Sequence, residues 1–94
     1  MKSHLYRITV EHLEDPKGNA VMAEPLTFEA RNHDDLFLIV DKMREKSEFD
    51  KSEIEALAIG LKLFSEVMLN NRDHELFKEL QPHFVQFMKN LKKR

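Results

Sequence analysis

The sequence predicts an α+β fold, in which an N-terminal two-stranded antiparallel hairpin precedes three to four helices in the order ββαααα. Three observations predict it. Apolar residues alternate near the N-terminus, the period changes to that of a helix after residue 32, and residues 54–69 are apolar on most sides. A chain of 94 residues with 41% hydrophobic and 34% charged residues is also typical of one folded domain, so we expect a single domain over residues 1–94.

The predicted hairpin has one apolar face on each strand. The first strand is expected at residues 4–13, and one of its faces carries Tyr6, Ile8, Val10 and His12. The second strand is best defined at residues 25–31, and one of its faces carries Leu26, Phe28 and Ala30. Between them, residues 14–19 include Pro16 and Gly18 and predict a turn. Because a lone two-stranded hairpin is marginal in water, its apolar face must pack on the helices or extend the sheet of a partner.

The first and second helices are predicted from their caps and their apolar stripes. Asn32 is expected to cap a helix at about residues 33–46. Its core-facing residues would be Leu36, Ile39, Val40 and Met43. The run Asp50-Lys51-Ser52-Glu53 resembles a capping box, with Asp50 as the cap of a second helix at about residues 51–70.

Two further helices are predicted near the C-terminus. Asp73 is expected to cap a short third helix at about residues 74–80, and Pro82 to lie in the first turn of a fourth helix at about residues 82–92. The core-facing stripe of the fourth helix would consist of Phe84, Phe87, Met88 and Leu91.

The helix at about residues 51–70 is predicted to be the central buried spine of the domain. Its only solvated edge is expected to be the ridge of Glu55, Lys62 and Glu66. Ala56 and Gly60 share one side of the helix, and glycine costs up to about 1 kcal/mol relative to alanine in a helix interior. We therefore expect another part of the protein to approach the backbone closely at Gly60, and Gly60→Leu to be poorly tolerated.

No residue pattern indicates catalysis or metal binding. His33, Asp34 and Asp35 form a cluster in the sequence, but neighbouring helical side chains point about 100° apart, so an acid-rich first turn explains them. The remaining histidines, which lack a ligand spacing, are His4, His12, His74 and His83. The serines, none of which has a nucleophile-elbow context, are Ser3, Ser47, Ser52 and Ser65. With no cysteine and two glycines, thiolate sites and phosphate loops are excluded. We predict no catalytic, cofactor-binding or metal-binding residue, and no cofactor.

The charge distribution argues against nucleic acid and membranes as partners. Residues 32–80 carry twelve acidic and seven basic groups, and residues 81–94 carry four basic groups and no acidic one. A nucleic-acid surface requires basic groups over a whole face, whereas a basic C-terminal end suits the dipole of the last helix. The apolar segment 54–69 is too short to span a bilayer, and no signal peptide is predicted. We expect a cytoplasmic protein.

Three stretches of the sequence resemble a small bacterial family, the domain of unknown function 3861. They are Asn32-His33-Asp34-Asp35-Leu36-Phe37, Gly60-Leu61-Lys62-Leu63-Phe64-Ser65-Glu66-Val67-Met68 and Pro82-His83-Phe84. The resemblance covers nearly the whole chain. It implies a single-domain bacterial protein without an assigned activity, and it brings no functional residue with it.

The surplus of apolar surface favours a non-enzymatic module that acts through protein–protein contact, as a homodimer or with another protein. Leu38 and Leu69, which lie off the main apolar stripes, add to this surplus. The sequence leaves open whether the chain covers this surface by itself. The alternative is a small-ligand or regulatory binding domain with a pocket between the hairpin and the central helix. A third hypothesis, a minimal enzyme using His33, Asp34 or His83, requires those side chains to converge.

Overall fold

The computed structural model describes residues 3–46 and 48–93 and confirms the predicted α+β fold. Its elements are β1 (His4–Val10), β2 (Leu26–Asn32), α1 (Leu36–Lys46), α2 (Lys51–Asn70) and α3 (Glu75–Lys92). The chain divides between His33 and Asp34 into two compact units, of which the first contains the hairpin and the second the helices. A single domain over residues 1–94 stays a prediction.

The hairpin is antiparallel, with His4 opposite Asn32 and Val10 opposite Leu26. Because residues that face each other across an antiparallel pair share a face, the two predicted apolar faces form one surface. The facing pairs on this surface are Tyr6 with Ala30, Ile8 with Phe28, and Val10 with Leu26. Arg7 and Glu29 face each other on the opposite side, where their side chains lie 3.5 Å apart.

The predicted turn between the strands is confirmed, and it is held by the carboxylate of Asp15. This carboxylate accepts hydrogen bonds of 2.9 Å from the backbone N–H groups of Lys17 and Asn19. Gly18 has a φ of +87°, which a residue with a side chain adopts only at a cost.

The pairing of the two chain segments continues beyond β1 and β2 in a shifted register. Glu14 pairs with Ala20, and the N–H of Val21 donates to the carbonyl of Leu13 over 3.0 Å. In the first segment Glu14 follows Val10 by four residues, whereas in the second segment Leu26 follows Ala20 by six residues. Two extra residues therefore lie in the segment 21–25, where the side chain of Met22 is 97% exposed.

The predicted start of the first helix is wrong by three residues. Asn32 is the buried last residue of β2, opposite His4, and therefore does not cap a helix. Asp35 caps α1 instead, since its Oδ1 accepts from the backbone N–H groups of Phe37 at 3.1 Å and Leu38 at 3.2 Å. Either residue type can cap a helix, and the length of the strand ladder decides which one does.

Helices α1 and α2 pack on each other and contain the buried apolar side chains of the structure. These are Leu36 in α1 and Ile54, Ala58 and Met68 in α2. Arg44 of α1 forms an ion pair with Glu55 of α2. Asp50 occupies the predicted cap position of α2, but its side chain makes no capping hydrogen bond, so only the position is confirmed.

The two predicted C-terminal helices are one helix, α3, which continues through Pro82. Its cap is His74 and not Asp73, because His74 Nδ1 accepts from the N–H of Leu76 at 3.1 Å. Phe77 and Phe84 lie on either side of Pro82 along the helix, and both rings contact Phe64, with centroids 6.1 and 5.7 Å away. Packing on both sides of the proline thus outweighs its local preference for a helix start.

The central helix is buried on one side only. Ala56, Gly60 and Val67 are exposed, and no described atom lies within 4 Å of a Cβ placed on Gly60. The predicted close approach at Gly60 is therefore wrong within the part of the chain that the structure describes. The prediction of a single solvated ridge is also wrong, because Lys62 and Glu66 are half-buried. The helical wheel identifies apolar sides correctly, but it does not say which of them the rest of the chain covers.

Candidate functional site

The hairpin carries an exposed apolar surface, which we call the hairpin face. It consists of Tyr6, Ile8, Val10, Leu26, Phe28 and Ala30. Its end nearest the turn is the most open, since Val10 is 53%, Leu26 61% and Phe28 41% exposed. These three large side chains come together on one face only because of the register of β1 and β2.

The two faces of the hairpin differ in polarity. The hairpin face has no charged residue, and its ring contact is that of Tyr6 with His4, whose centroids lie 5.9 Å apart. The opposite face pairs Leu5 with Arg31, Arg7 with Glu29, and Thr9 with Thr27. A solvated face of this kind is expected of an antiparallel sheet, whereas an apolar face with three exposed large side chains is not.

The helical unit contains a cavity of about 870 Å³, which we call the helical cavity. It opens among α1, the link to α2, α2 itself and the C-terminal end of α3. Its apolar lining includes Ile39, Met43, Leu57, Phe87, Met88 and Leu91. Among the described residues, its charged lining consists of Lys42, Lys46, Lys62, Lys92 and Glu48. A volume in this range is typical of small-molecule sites.

Of the three clustered candidates His33, Asp34 and Asp35, the two carboxylates take part in separate contacts. Asp34 pairs with Lys62, Oδ2 to Nζ at 2.9 Å, and Asp35 caps α1. Both carboxylates thus have structural partners. Within the described residues, no three His, Asp or Glu side chains are arranged to hold a metal ion.

The other histidine and serine candidates are dispersed. His74 caps α3 and contacts Phe77, and His83 is exposed on α3. Ser65 Oγ donates to the carbonyl of Lys62 inside α2 at 3.3 Å, and Ser52 lies in the first turn of the same helix. The buried Oγ of Ser3 has no described hydrogen-bond partner. Ser47 lies outside the described residues.

Sequence reasoning missed the basic lining of the helical cavity. Lys42 and Lys46 lie four residues apart on α1, next to the apolar residues Ile39 and Met43, and this spacing was the available signal. Lys92 belongs to the basic C-terminal end, for which the dipole of the last helix is a sufficient explanation at the level of sequence. Only the packing of three helices brings these lysines to one opening.

No helix within residues 3–46 and 48–93 is both long enough and apolar enough to cross a membrane.

Comparison with known proteins gives one family and one solved structure. The model of a family described as a domain of unknown function with a solved structure, number 3861, matches residues 4–93. A crystal structure of a protein of unknown function from Pectobacterium atrosepticum is similar, with 40% sequence identity and a TM-score of 0.85. The alignment covers 99% of this chain and 100% of that one. No curated protein matches the chain.

Proposed function

Because the chain belongs to the domain of unknown function 3861 family, whose description names no reaction, we propose a function from its surfaces: a non-enzymatic protein–protein interaction module that dimerises through the hairpin face. The observation that carries this proposal is the exposure of Val10, Leu26 and Phe28 on one side of a two-stranded sheet. Exposed apolar surface of this kind is favourable to bury, at roughly 25 cal/mol per Å².

A second copy of the chain is the partner that fits the hairpin face best. In a two-fold dimer the same surface of both copies forms the interface. A charged group on that surface would therefore lie near the same charge on the other copy and be repelled by it. The hairpin face has no charged residue and avoids this repulsion. The net charge of −2 also opposes association of two copies only weakly.

The apolar face of the hairpin also needs cover for the sheet to be stable. In the described part of the chain the sheet has two strands. A two-stranded sheet by itself is marginal in water. Packing of the hairpin faces of two copies against each other would cover the apolar surface of both sheets.

Catalysis is not part of this proposal. Of the candidates for a minimal enzyme, Asp34 forms an ion pair and Asp35 caps a helix, while His83 lies exposed on α3. These separate roles support a binding function over a catalytic one.

The experiment is light scattering of the purified chain over a range of concentrations. We expect a mass of about twice 11.2 kDa for the natural sequence. Leu26→Glu places a charge on the hairpin face and should give the mass of one chain. Thr27→Glu is the matched control, because it adds the same charge one residue away on the opposite face, and it should leave the dimer intact.

Circular dichroism of both variants checks that each remains folded, which we expect because Leu26 is 61% exposed. A single-chain mass for the natural sequence at every concentration would contradict the proposal. Equal dissociation of the dimer by Leu26→Glu and Thr27→Glu would also contradict it. The dissociation would then come from the added negative charge and not from disruption of the hairpin face.

A further inference from the structure

We propose that the helical cavity binds an amphiphilic anion, a single long alkyl chain that ends in a carboxylate. The proposal is independent of dimerisation, because no residue of the hairpin lines this cavity. It rests on three features of the cavity: its size, the composition of its walls and the sign of its charged groups.

The walls of the helical cavity suit a flexible alkyl chain. Apolar side chains come from all three helices, and two of them, Met43 and Met88, are unbranched thioethers that adapt to ligands of variable shape. Phe49 and Phe87 line the cavity and are still about half exposed. An apolar ligand would remove these rings from water, which is the main source of affinity in such sites.

The charged groups of the helical cavity suit a carboxylate. Four lysines and one glutamate of the described residues line it, so this charged lining is predominantly basic, although the chain as a whole is acidic. Lys62 is paired with Asp34. Lys42, Lys46 and Lys92 form no ion pair within the described residues, and they come from α1 and from the end of α3. An anionic head group would give these lysines a counter-charge that the described part of the chain does not supply.

A straight-chain carboxylate fits these features better than a compact anion or a cation does. A compact anion such as phosphate would leave the apolar walls in contact with water. A cationic amphiphile would place its head group among lysines, and like charges repel. An uncharged alcohol of the same chain length would contact the apolar walls but leave the lysines without a counter-charge.

The test uses the full-length protein and dodecanoate below its micellar concentration. Isothermal titration calorimetry should give saturable binding of one dodecanoate per chain. Each methylene added between decanoate and tetradecanoate should tighten binding roughly three- to fourfold, as burial of a CH₂ group predicts. Dodecanol should bind more weakly than dodecanoate, and dodecyltrimethylammonium more weakly still.

Lysine variants test the role of the basic lining. Lys46→Gln and Lys92→Gln should each weaken dodecanoate binding by about fivefold, which corresponds to loss of one partly solvated charge contact. Lys89→Gln is the matched control, because Lys89 lies on α3 three residues before Lys92 and does not line the cavity. It should leave the affinity unchanged.

Methionine methyl NMR spectra locate the bound ligand. The methyl signals of Met43 and Met88 should shift on addition of dodecanoate, and that of Met22, which lies in the hairpin, should not. Shifts of all three signals would indicate detergent-like binding and overturn the proposal. So would absence of binding, equal binding of the cationic amphiphile, or equal weakening by Lys89→Gln. Loss of dodecanoate binding when the chains self-associate would assign the cavity to contact between copies, which also overturns it.

Discussion

Lys62 Nζ lies 2.9 Å from Asp34 Oδ2, and the two side chains are only 20% and 28% exposed. The pair joins the middle of α2 to the residue that begins the helical unit, just before the cap of α1. Because both groups are largely shielded from water, their attraction is stronger than that of a surface pair, and loss of one partner leaves the other poorly solvated.

We expect Lys62→Met to lower the free energy of unfolding by about 1–2 kcal/mol, between the values for exposed and for fully buried pairs. Urea denaturation measures it, and a double-mutant cycle with Asp34→Asn isolates the interaction. Arg7 and Glu29 provide the control, since their side chains are 70% and 57% exposed and their coupling should be near zero. Equal coupling in the two cycles would show that shielding has no effect here.

Gly60→Ala should stabilise the protein. Nothing described lies within 4 Å of the added methyl group, and alanine is favoured over glycine in a helix interior by about 0.5–1 kcal/mol. Urea denaturation at low protein concentration measures the gain. Gly18→Ala is a control in which we expect the opposite effect, a loss of stability, because the φ of +87° at this position is costly for alanine. A loss of stability in Gly60→Ala would mean that a second molecule approaches this side of α2.

Phe84→Ala should lower the free energy of unfolding by about 2 kcal/mol, because Phe84 is half-buried and its ring contacts Phe64 and Phe87. For a chain of this length, this corresponds to a fall in Tm of roughly 8–16 °C, which thermal unfolding followed by circular dichroism can measure. Phe37→Ala removes the same side chain where it is 77% exposed. A similar fall in both variants would rule out the aromatic contacts as its cause.

The carboxyl group of Asp15 should remain ionised to lower pH in the folded protein than in the unfolded one. The backbone N–H of Asn19 contributes most to holding the pKa of Asp15 below its ordinary value. Desolvation of the carboxylate opposes it, and the backbone N–H of Lys17 and the side chain of Asn19 lower the pKa further. Because the pKa is lower in the folded state, these hydrogen bonds stabilise the protein above the unfolded pKa. This stability is lost as the pH falls through the folded pKa. Carboxyl ¹³C NMR titration, with and without denaturing urea, measures both values, and equal midpoints would contradict the prediction.

The hairpin was predictable because its signals are local. Period-two alternation places Tyr6, Ile8 and Val10 on one face, and the turn around Gly18 brings the two strands together. The end of β2 was not predictable in the same way. Asn32 has the side chain of a helix cap, but its pairing with His4 takes precedence, and this pairing is a contact between distant residues.

The helical unit shows where local reasoning fails. Pro82 predicts a helix start, yet ring contacts on both sides of it hold α3 continuous. Gly60 and Ala56 predict a close contact, yet that side of α2 is open. The spacing of Lys42 and Lys46 was the one sequence signal of the helical cavity, and it does not define a site, because the walls come from three helices whose mutual placement depends on the packing of all of them.

The shifted register around Met22 has a consequence for how the length of the hairpin can be changed. The two extra residues in segment 21–25 separate the β1–β2 ladder from the Glu14–Ala20 pair. Because side chains alternate with a period of two, a deletion or insertion of two residues here keeps every side chain of the ladder on its own face. A change of one residue would instead reverse the faces of one segment relative to the other. Variants with two residues removed from or added to segment 21–25 should therefore keep the hairpin face intact.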